Sequence, residues 1–463
     1  MNGLPRVCVI GAGCSGLTAI KALKQAGIPH RCFEMSDRVG GNWVFGNKNG
    51  RSGAYRSLHI NTSRQRMEFG DYPMPASLPD YPHHRHVAEY FQSYARHFDL
   101  EQSISFETEV LRCERSADPS ARWQVTVRDL ATQAVSTLAF DFVIVANGHH
   151  WDPSLPPPLP GSFDGTIFHS HTYVDPESPM DLRGKRVVVV GMGNSAMDIA
   201  CELCRPGVAE RLFLSARRGA WIIPKYVLGK PVDQGSSFIP SWLPQKMRRA
   251  LVTRAFQFLF GRMQDFGLPE PDHLLGEAHP TVSSELLGLL GAGDIVPKPA
   301  LARLEGESVV FSDGSRERVD VIIQCTGYRV TFPFFDEALV AAPNNQLSLF
   351  QRVFDPRHPD LAFIGLAQPL GAIMPVAEQQ ALWVAEYLRG DYALPTQTDM
   401  NAAIAREEAR SRKRFVASPR HTMQIDPDDY IRVLAAERAL GRTRARRGGQ
   451  AAPLGVALPA PAR

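Results

Sequence analysis

Two stretches of the chain share one order of apolar and polar positions. In "RVCVIGAGCSGLTAIKALKQAGIPHRCFE" (6–34), Val7, Val9 and Ile10 form a short apolar run, the pattern of a strand buried in a parallel sheet. After a glycine-rich turn, a helix is expected from about Leu17 to Ala26, with Gly27 as its stop and a second strand ending at Glu34. "KRVVVVGMGNSAMDIACELC" (185–204) repeats strand, turn and helix, and "RLFLSARRG" (211–219) supplies the next strand. Two such units predict an α/β fold of two doubly wound, Rossmann-like domains, the smaller inserted in the larger. "WDPSLPPPLPG" (151–161) is too proline-rich for a helix or a central strand and reads as the first crossing between them. Residues 225–300 are atypical of a plain unit of this kind. They hold "FIPSWLPQKMRRALVTRAFQFLF" (238–260), an amphipathic helical stretch expected to act as an internal cover. Contact of this stretch with a second subunit (a homodimer) or with a membrane surface stays open.

The turns themselves carry chemistry. Gly11, Gly13 and Gly16 give G-x-G-x-x-G, with Ser15 inside the turn. The glycines serve a tight bend, close approach to a pyrophosphate and close helix–strand packing, and the helix N-terminus offers free N–H groups to phosphate. Glu34, 18 residues after Gly16, stands where an acid takes both ribose hydroxyls. In the second turn Gly191, Gly193 and Ala196 give the G-x-G-x-x-A form, with Asn194 and Ser195 following. Its next strand ends in Arg217 and Arg218 instead of an acid, a fork suited to a ribose 2′-phosphate. The pair of sites therefore reads as FAD at the first and NADPH at the second.

Length supports two domains, since 463 residues exceed what one core usually serves. The formal charge of +3 hides a split: after Glu437 the chain has six arginines and no acid, leaving 45 basic against 48 acidic residues before it. A nucleic-acid binder would carry its excess in a folded patch, so no nucleic-acid partner is expected, and 436–463 reads as a disordered basic tail. No apolar run approaches the roughly 20 residues of a membrane span. The first strand begins too early for a signal peptide, and seven cysteines fit a reducing compartment. A cytoplasmic location is expected.

"SDRVGGNW" (36–43), "SLHINTSRQRMEFGDYPMPASLPDYP" (57–82) and "FDGTIFHSHTY" (163–173) together resemble the flavin-containing monooxygenases. Their fingerprint F-x-G-x-x-x-H-x-x-x-[FY] is matched by Phe163, Gly165, His169 and Tyr173. The resemblance implies that NADPH reduces FAD, and that a flavin hydroperoxide then passes one oxygen to an amine or a sulfide. It assigns catalysis to Asn61, which also contacts cofactor, and flavin packing to Gly41 and Trp43. "VANGHH" (145–150) and "QCTGY" (324–328) resemble the family's Ala-Thr-Gly crossings, with Asn147 and Cys325 as departures and Thr326 and Gly327 at the cofactor. Gly165 is expected to give a turn, His169 to end a short strand, and Tyr173 to lie near the crevice between cofactors.

The sequence also offers rival readings. "CELC" (201–204) would suit a disulfide reductase, but it falls well inside a helix, where packing is the better reading. "HHRH" (83–86) lacks companions for a metal and reads as a loop entering a helix. No metal is expected. The nearest relative chemistry is Baeyer–Villiger oxygenation of ketones, whose fingerprint usually closes with Trp or Pro where this chain has Tyr173. The expected division is 1–169 for the first part of the FAD domain, 170–320 for NADPH and 321–435 for the second FAD part.

Overall fold

The structure is a computed structural model that describes residues 4–118, 120–235, 243–415 and 423–448. Its first sheet has six strands in the order Phe354–Asp355, His358–Phe363, Phe142–Val145, Val7–Ile10, His30–Phe33 and Ile104–Ser105. All are parallel except the first, which runs against its neighbour. Val7–Ile10 is buried at every position because both faces are covered by different layers. Val7 and Val9 pack on the helices Cys14–Gln25 and Met374–Arg389. Cys8 and Ile10 pack on an antiparallel sheet of 108–115, 123–129 and 135–140. The continuous apolar run is thus a period-two pattern serving two cores.

The second sheet repeats the plan with five parallel strands, ordered Thr166–His169, Val321–Gln324, Arg186–Val190, Arg211–Ser215 and Val296–Lys298. Val187 and Val189 face the helix Asn194–Leu203, while Val188 faces Phe311 and Val309 of a small mixed sheet. Every strand of this sheet lies between residues 166 and 324, while the first sheet draws on chain from both sides of that interval. Strands 166–169 and 321–324, which the expected division assigns to the two FAD parts, instead both belong to the second sheet. The crossings are therefore the irregular segments just outside them.

Three local expectations change. The first helix starts at Cys14, because Gly13 is its N-cap and the turn leads straight into it. Residues 436–446 are helical: the helix Pro427–Arg446 buries Tyr430 and Leu434 and lays Arg438 on Glu386 at 2.7 Å, with Arg442 on the same carboxylate. A basic composition read as disorder is ordered here by an acid on another helix, which no local pattern displays. In the amphipathic stretch the helix runs over Gln245–Phe260, with Phe256 packed edge-on to Trp221 at 5.8 Å. Residues 238–242 and 449–463 of the expected stretch and tail lie outside the described residues.

Candidate functional site

The first glycine turn opens onto a cavity of about 330 Å³ lined by Gly11, Gly13, Ser15, Glu34, Gly41 and Trp43, among others. A Cβ on Gly16 would stand 1.8 Å from the Gly11 carbonyl oxygen, so helix and turn touch only because that residue is glycine. Gly16 packs the cradle from behind and does not line it. Glu34 is buried and rigidly held: Ala12 N–H donates to one carboxylate oxygen at 2.6 Å and Ser36 N–H to the other at 2.8 Å. Burial raises its pKa, opposed by those two donors. Each oxygen keeps a lone pair for a ribose hydroxyl. Gly365 closes the far wall, where a Cβ would meet Ser15 Oγ at 2.0 Å. These features fit a dinucleotide such as FAD: a glycine-lined floor, a fixed acid, a helix N-terminus and apolar walls at Phe33, Phe334 and Ile373.

Sequence reasoning missed several wall residues. Arg51 stacks on the Trp151 ring at 4.1 Å, and Asn42, Asn49, Thr108 and His149 also line the cavity. Arg51 and Asn49 lie in a loop of Asn, Lys and Gly without periodicity, which folds back only in three dimensions. Asn147, noted as a departure, lines the cavity, and its amide donates to the Thr331 carbonyl at 3.1 Å. Thr326 and Gly327 do not line it. Thr326 Oγ1 donates to Ser154 O at 2.6 Å and Ser154 N–H to Gly327 O at 2.9 Å, so they fasten one crossing to the other.

At the second turn Gly191 has φ +134°, and a Cβ there would meet the Cys325 carbonyl oxygen at 2.5 Å. Gly193 caps the helix Asn194–Leu203 without a side-chain bond of its own, leaving the first-turn N–H groups of Ser195 and its neighbours for an anion. The Asn194 side-chain oxygen is already used, accepting from Val282 N–H at 2.9 Å. Arg218 is engaged too, paired with Asp272 at 2.8 Å, while Arg217 is exposed and makes no ion pair among the described residues. The expected arginine fork is thus reduced to one available guanidinium.

The chain segment 55–63 joins the two cores, since Tyr55 packs in the second and Ile60 in the first. Tyr55 donates to Asp198, and Ser57 Oγ to Glu202 at 2.9 Å, both carboxylates on the second helix. Asn61 follows between two fixed points: Ile60 N–H donates to Pro82 O at 3.0 Å and Ser63 N–H to Asp233 at 2.6 Å. The Asn61 amide oxygen is occluded and finds no donor among the described residues. An orphaned buried acceptor of this kind fits a bound group that donates to it, such as the nicotinamide amide or a flavin ring N–H.

Tyr173, expected near the crevice, is instead buried in the second core, its hydroxyl donating to Glu202 at 2.9 Å and its ring against Tyr55. Glu202, in the last turn of the helix Asn194–Leu203, takes that hydroxyl. His169 ends the strand as expected, accepts from His171 N–H at 3.0 Å and is pushed down to about 4 by burial, hence neutral. Gly165 supplies room and no left-handed turn: a Cβ would lie 2.3 Å from Asp320 O. Cys201 is buried with its thiol pushed up to about 12, and Cys204 Sγ bonds back to the Cys201 carbonyl, so neither is a poised thiolate. His83 caps the helix His84–His97 by accepting from Arg85 N–H.

A family model described as flavin-binding monooxygenase-like matches residues 5–440. The chain belongs to this family. Rat flavin-containing monooxygenase 5 is 40% identical over 445 residues, spanning 93% of this chain and 82% of the relative. Rat dimethylaniline monooxygenase (N-oxide-forming) 2 is 36% identical over 449 residues with the same two shares, 93% and 82%. Among solved structures, the S-allyl-L-cysteine S-oxygenase of Allium sativum aligns with a TM-score of 0.69 at 24% identity, over 98% of this chain and 94% of that one. Cyclohexanone monooxygenase in its open form gives 0.69 at 18% identity, over 97% and 99%. Both share the fold. Like other flavin monooxygenases, the protein is an FAD- and NADPH-dependent enzyme that uses dioxygen on small molecules. Among the described residues no helix is long and apolar enough to cross a membrane.

Proposed function

We propose that this monooxygenase oxygenates a soft nucleophile, an amine nitrogen or a sulfide sulfur, with Asn61 as its catalytic side chain. Bound flavin, reduced by NADPH, supplies the chemistry by activating dioxygen and delivering one oxygen atom to substrate, the other leaving as water. The carrying observation is the position of Asn61: it lies on the segment that passes from one core to the other, with its amide oxygen occluded and unpartnered. An uncharged amide can donate and accept there without releasing a proton. Around it, Glu34 would hold the FAD ribose, Gly11, Gly13 and Ser15 the pyrophosphate, and Trp43 the flavin wall. Gly191, Gly193 and Ser195 would hold the NADPH pyrophosphate, and Arg217 its 2′-phosphate. The strands 166–324 would form an NADPH domain set into an FAD domain. The 36% identical relative whose name specifies an N-oxide product supports heteroatom transfer.

In the test, the FAD-loaded enzyme is given NADPH with an amine, a sulfide and a cyclic ketone. N-oxide or sulfoxide is the expected main product, and a lactone as main product would replace this reading by ketone oxygenation. Asn61→Ala should reduce flavin at a rate within about threefold of the parent while product falls roughly a hundredfold, the size of losing one aimed polar group at the reacting centre. Normal product formation in that variant removes Asn61 from the chemistry.

A further inference from the structure

We infer that Asp233, contributed by the 225–300 insertion, is a positioning residue that sets the geometry of Asn61. The inference rests on the role proposed for Asn61 and gives the insertion a part in the reaction beyond covering it. Only Thr62 separates Asn61 from Ser63, and Ser63 is completely buried. Its N–H donates to Asp233 Oδ2 at 2.6 Å, a short charge-assisted bond, and its Oγ accepts from Gln234 Nε2 at 2.9 Å. Gln234 Nε2 also donates to Gln65 Oε1 at 2.7 Å. On the other side of Asn61, the bond from Ile60 to Pro82 belongs to the first core. Asn61 is therefore strung between one anchor in the FAD-binding part and one in the insertion.

The insertion is itself docked firmly enough to transmit position. Tyr81 Oη donates to Lys225 O at 2.5 Å, Tyr226 Oη to Asp80 Oδ2 at 3.1 Å, and Val232 N–H to Lys225 O at 2.9 Å. The Lys225 ammonium lies 5.1 Å over the Tyr81 ring. Arg64, next to Ser63, donates its N–H to the Asp80 carbonyl at 2.7 Å, so Asp80 binds both Tyr226 of the insertion and the backbone beside Ser63.

Stability does not account for the choice of aspartate. The second carboxylate oxygen of Asp233 is occluded and finds no donor among the described residues. A carboxylate with one occluded, unsatisfied oxygen is unfavourable, and a neutral acceptor would hold the N–H with less desolvation. A short, charged, rigid acceptor gives instead a stiffer bond to the backbone beside Asn61, which matters where placement to a fraction of an ångström controls the rate.

The experiment compares Asp233→Ala, Asp233→Asn, Asn61→Ala and the Asp233→Ala/Asn61→Ala pair as full-length FAD-loaded proteins. With NADPH and an aryl methyl sulfide as probe, NADPH consumed, sulfoxide formed and hydrogen peroxide released are measured together. Asp233→Ala should lower sulfoxide turnover about tenfold and raise the peroxide share at least roughly threefold, with the KM for NADPH within about twofold. Asp233→Asn, which keeps an acceptor on Ser63, should restore most of the loss. The double variant should be no worse than Asn61→Ala alone. Independently of turnover, hydrogen exchange at the Ser63 amide should quicken about tenfold in Asp233→Ala and little in Asp233→Asn. If the alanine variant does not fold, Asp233→Glu, which carries the acceptor one methylene further, should show the same leak. Unchanged coupling in Asp233→Ala, or a double variant clearly worse than Asn61→Ala, overturns the inference. Coupled turnover in Asn61→Ala beside a leaking Asp233→Ala would instead overturn the proposed role of Asn61.

Discussion

At the first glycine turn the chain lines a cavity with a buried acid fixed by two backbone donors, an aromatic wall, and a glycine from a distant segment against Ser15. At the second turn the same strand–turn–helix leads to a strand whose end leaves Arg217 exposed and Arg218 tied to Asp272. Their helices differ as well. The first buries Lys21, which pairs with Asp71 and lies 3.5 Å from Glu378, inside its own domain. The second presents Asp198 and Glu202, one helical turn apart, to Tyr55, Ser57 and Tyr173 from other segments. One helix is fastened within its own core, the other to the segment that carries Asn61.

The largest expected break of the comparison is Gly16→Val. Its side chain must displace the Gly11 carbonyl, 1.8 Å from the Cβ position, at a cost of about 3 kcal/mol. With the pyrophosphate turn displaced, FAD affinity should fall roughly a hundredfold, and the purified variant should lack the yellow colour and the flavin absorbance of the parent.

Asp198→Asn tests the second helix. Burial raises the Asp198 carboxyl to about 6, with Glu202 and Glu285 adding to the rise while the Tyr55 hydroxyl and Lys225 oppose it. Its folded value lies above the ~3.9 of free aspartate, so between those values the folded protein keeps a proton that the unfolded chain has lost. Stability then falls as pH rises through about 4 to 6, by about 2 to 3 kcal/mol at this site. The asparagine variant should lose that slope in denaturant titrations and gain relative stability above pH 6; parallel profiles for the two proteins would show that Asp198 does not titrate in the fold.

The smallest effects separate the two arginines. Arg217→Ala should raise the KM for NADPH about tenfold and that for NADH less than about twofold, the loss of one charge-assisted contact. Arg218→Ala should change either by less than about threefold, because its guanidinium already serves Asp272. A reversal of this order would move the 2′-phosphate to Arg218 and require Asp272 to release it.

Much of this was legible along the chain because it is local. The strand, the glycines and the helix of each turn occur within about 20 consecutive residues, and steric need fixes where glycine must stand. Glu34 and the Arg217–Arg218 pair follow from the same spacing. The family and its cofactors came from such blocks. What the tertiary structure alone decided depends on partners distant in sequence. Asp272 removes one arginine from the fork, and Glu202 draws Tyr173 into the core. Glu386 orders arginines that read as a loose tail, and Asp233 reaches the turn of Asn61 across 170 residues. Local pattern specifies which elements form; which side chain satisfies which buried polar group is settled only when those elements pack, since each donor takes the nearest acceptor the fold offers.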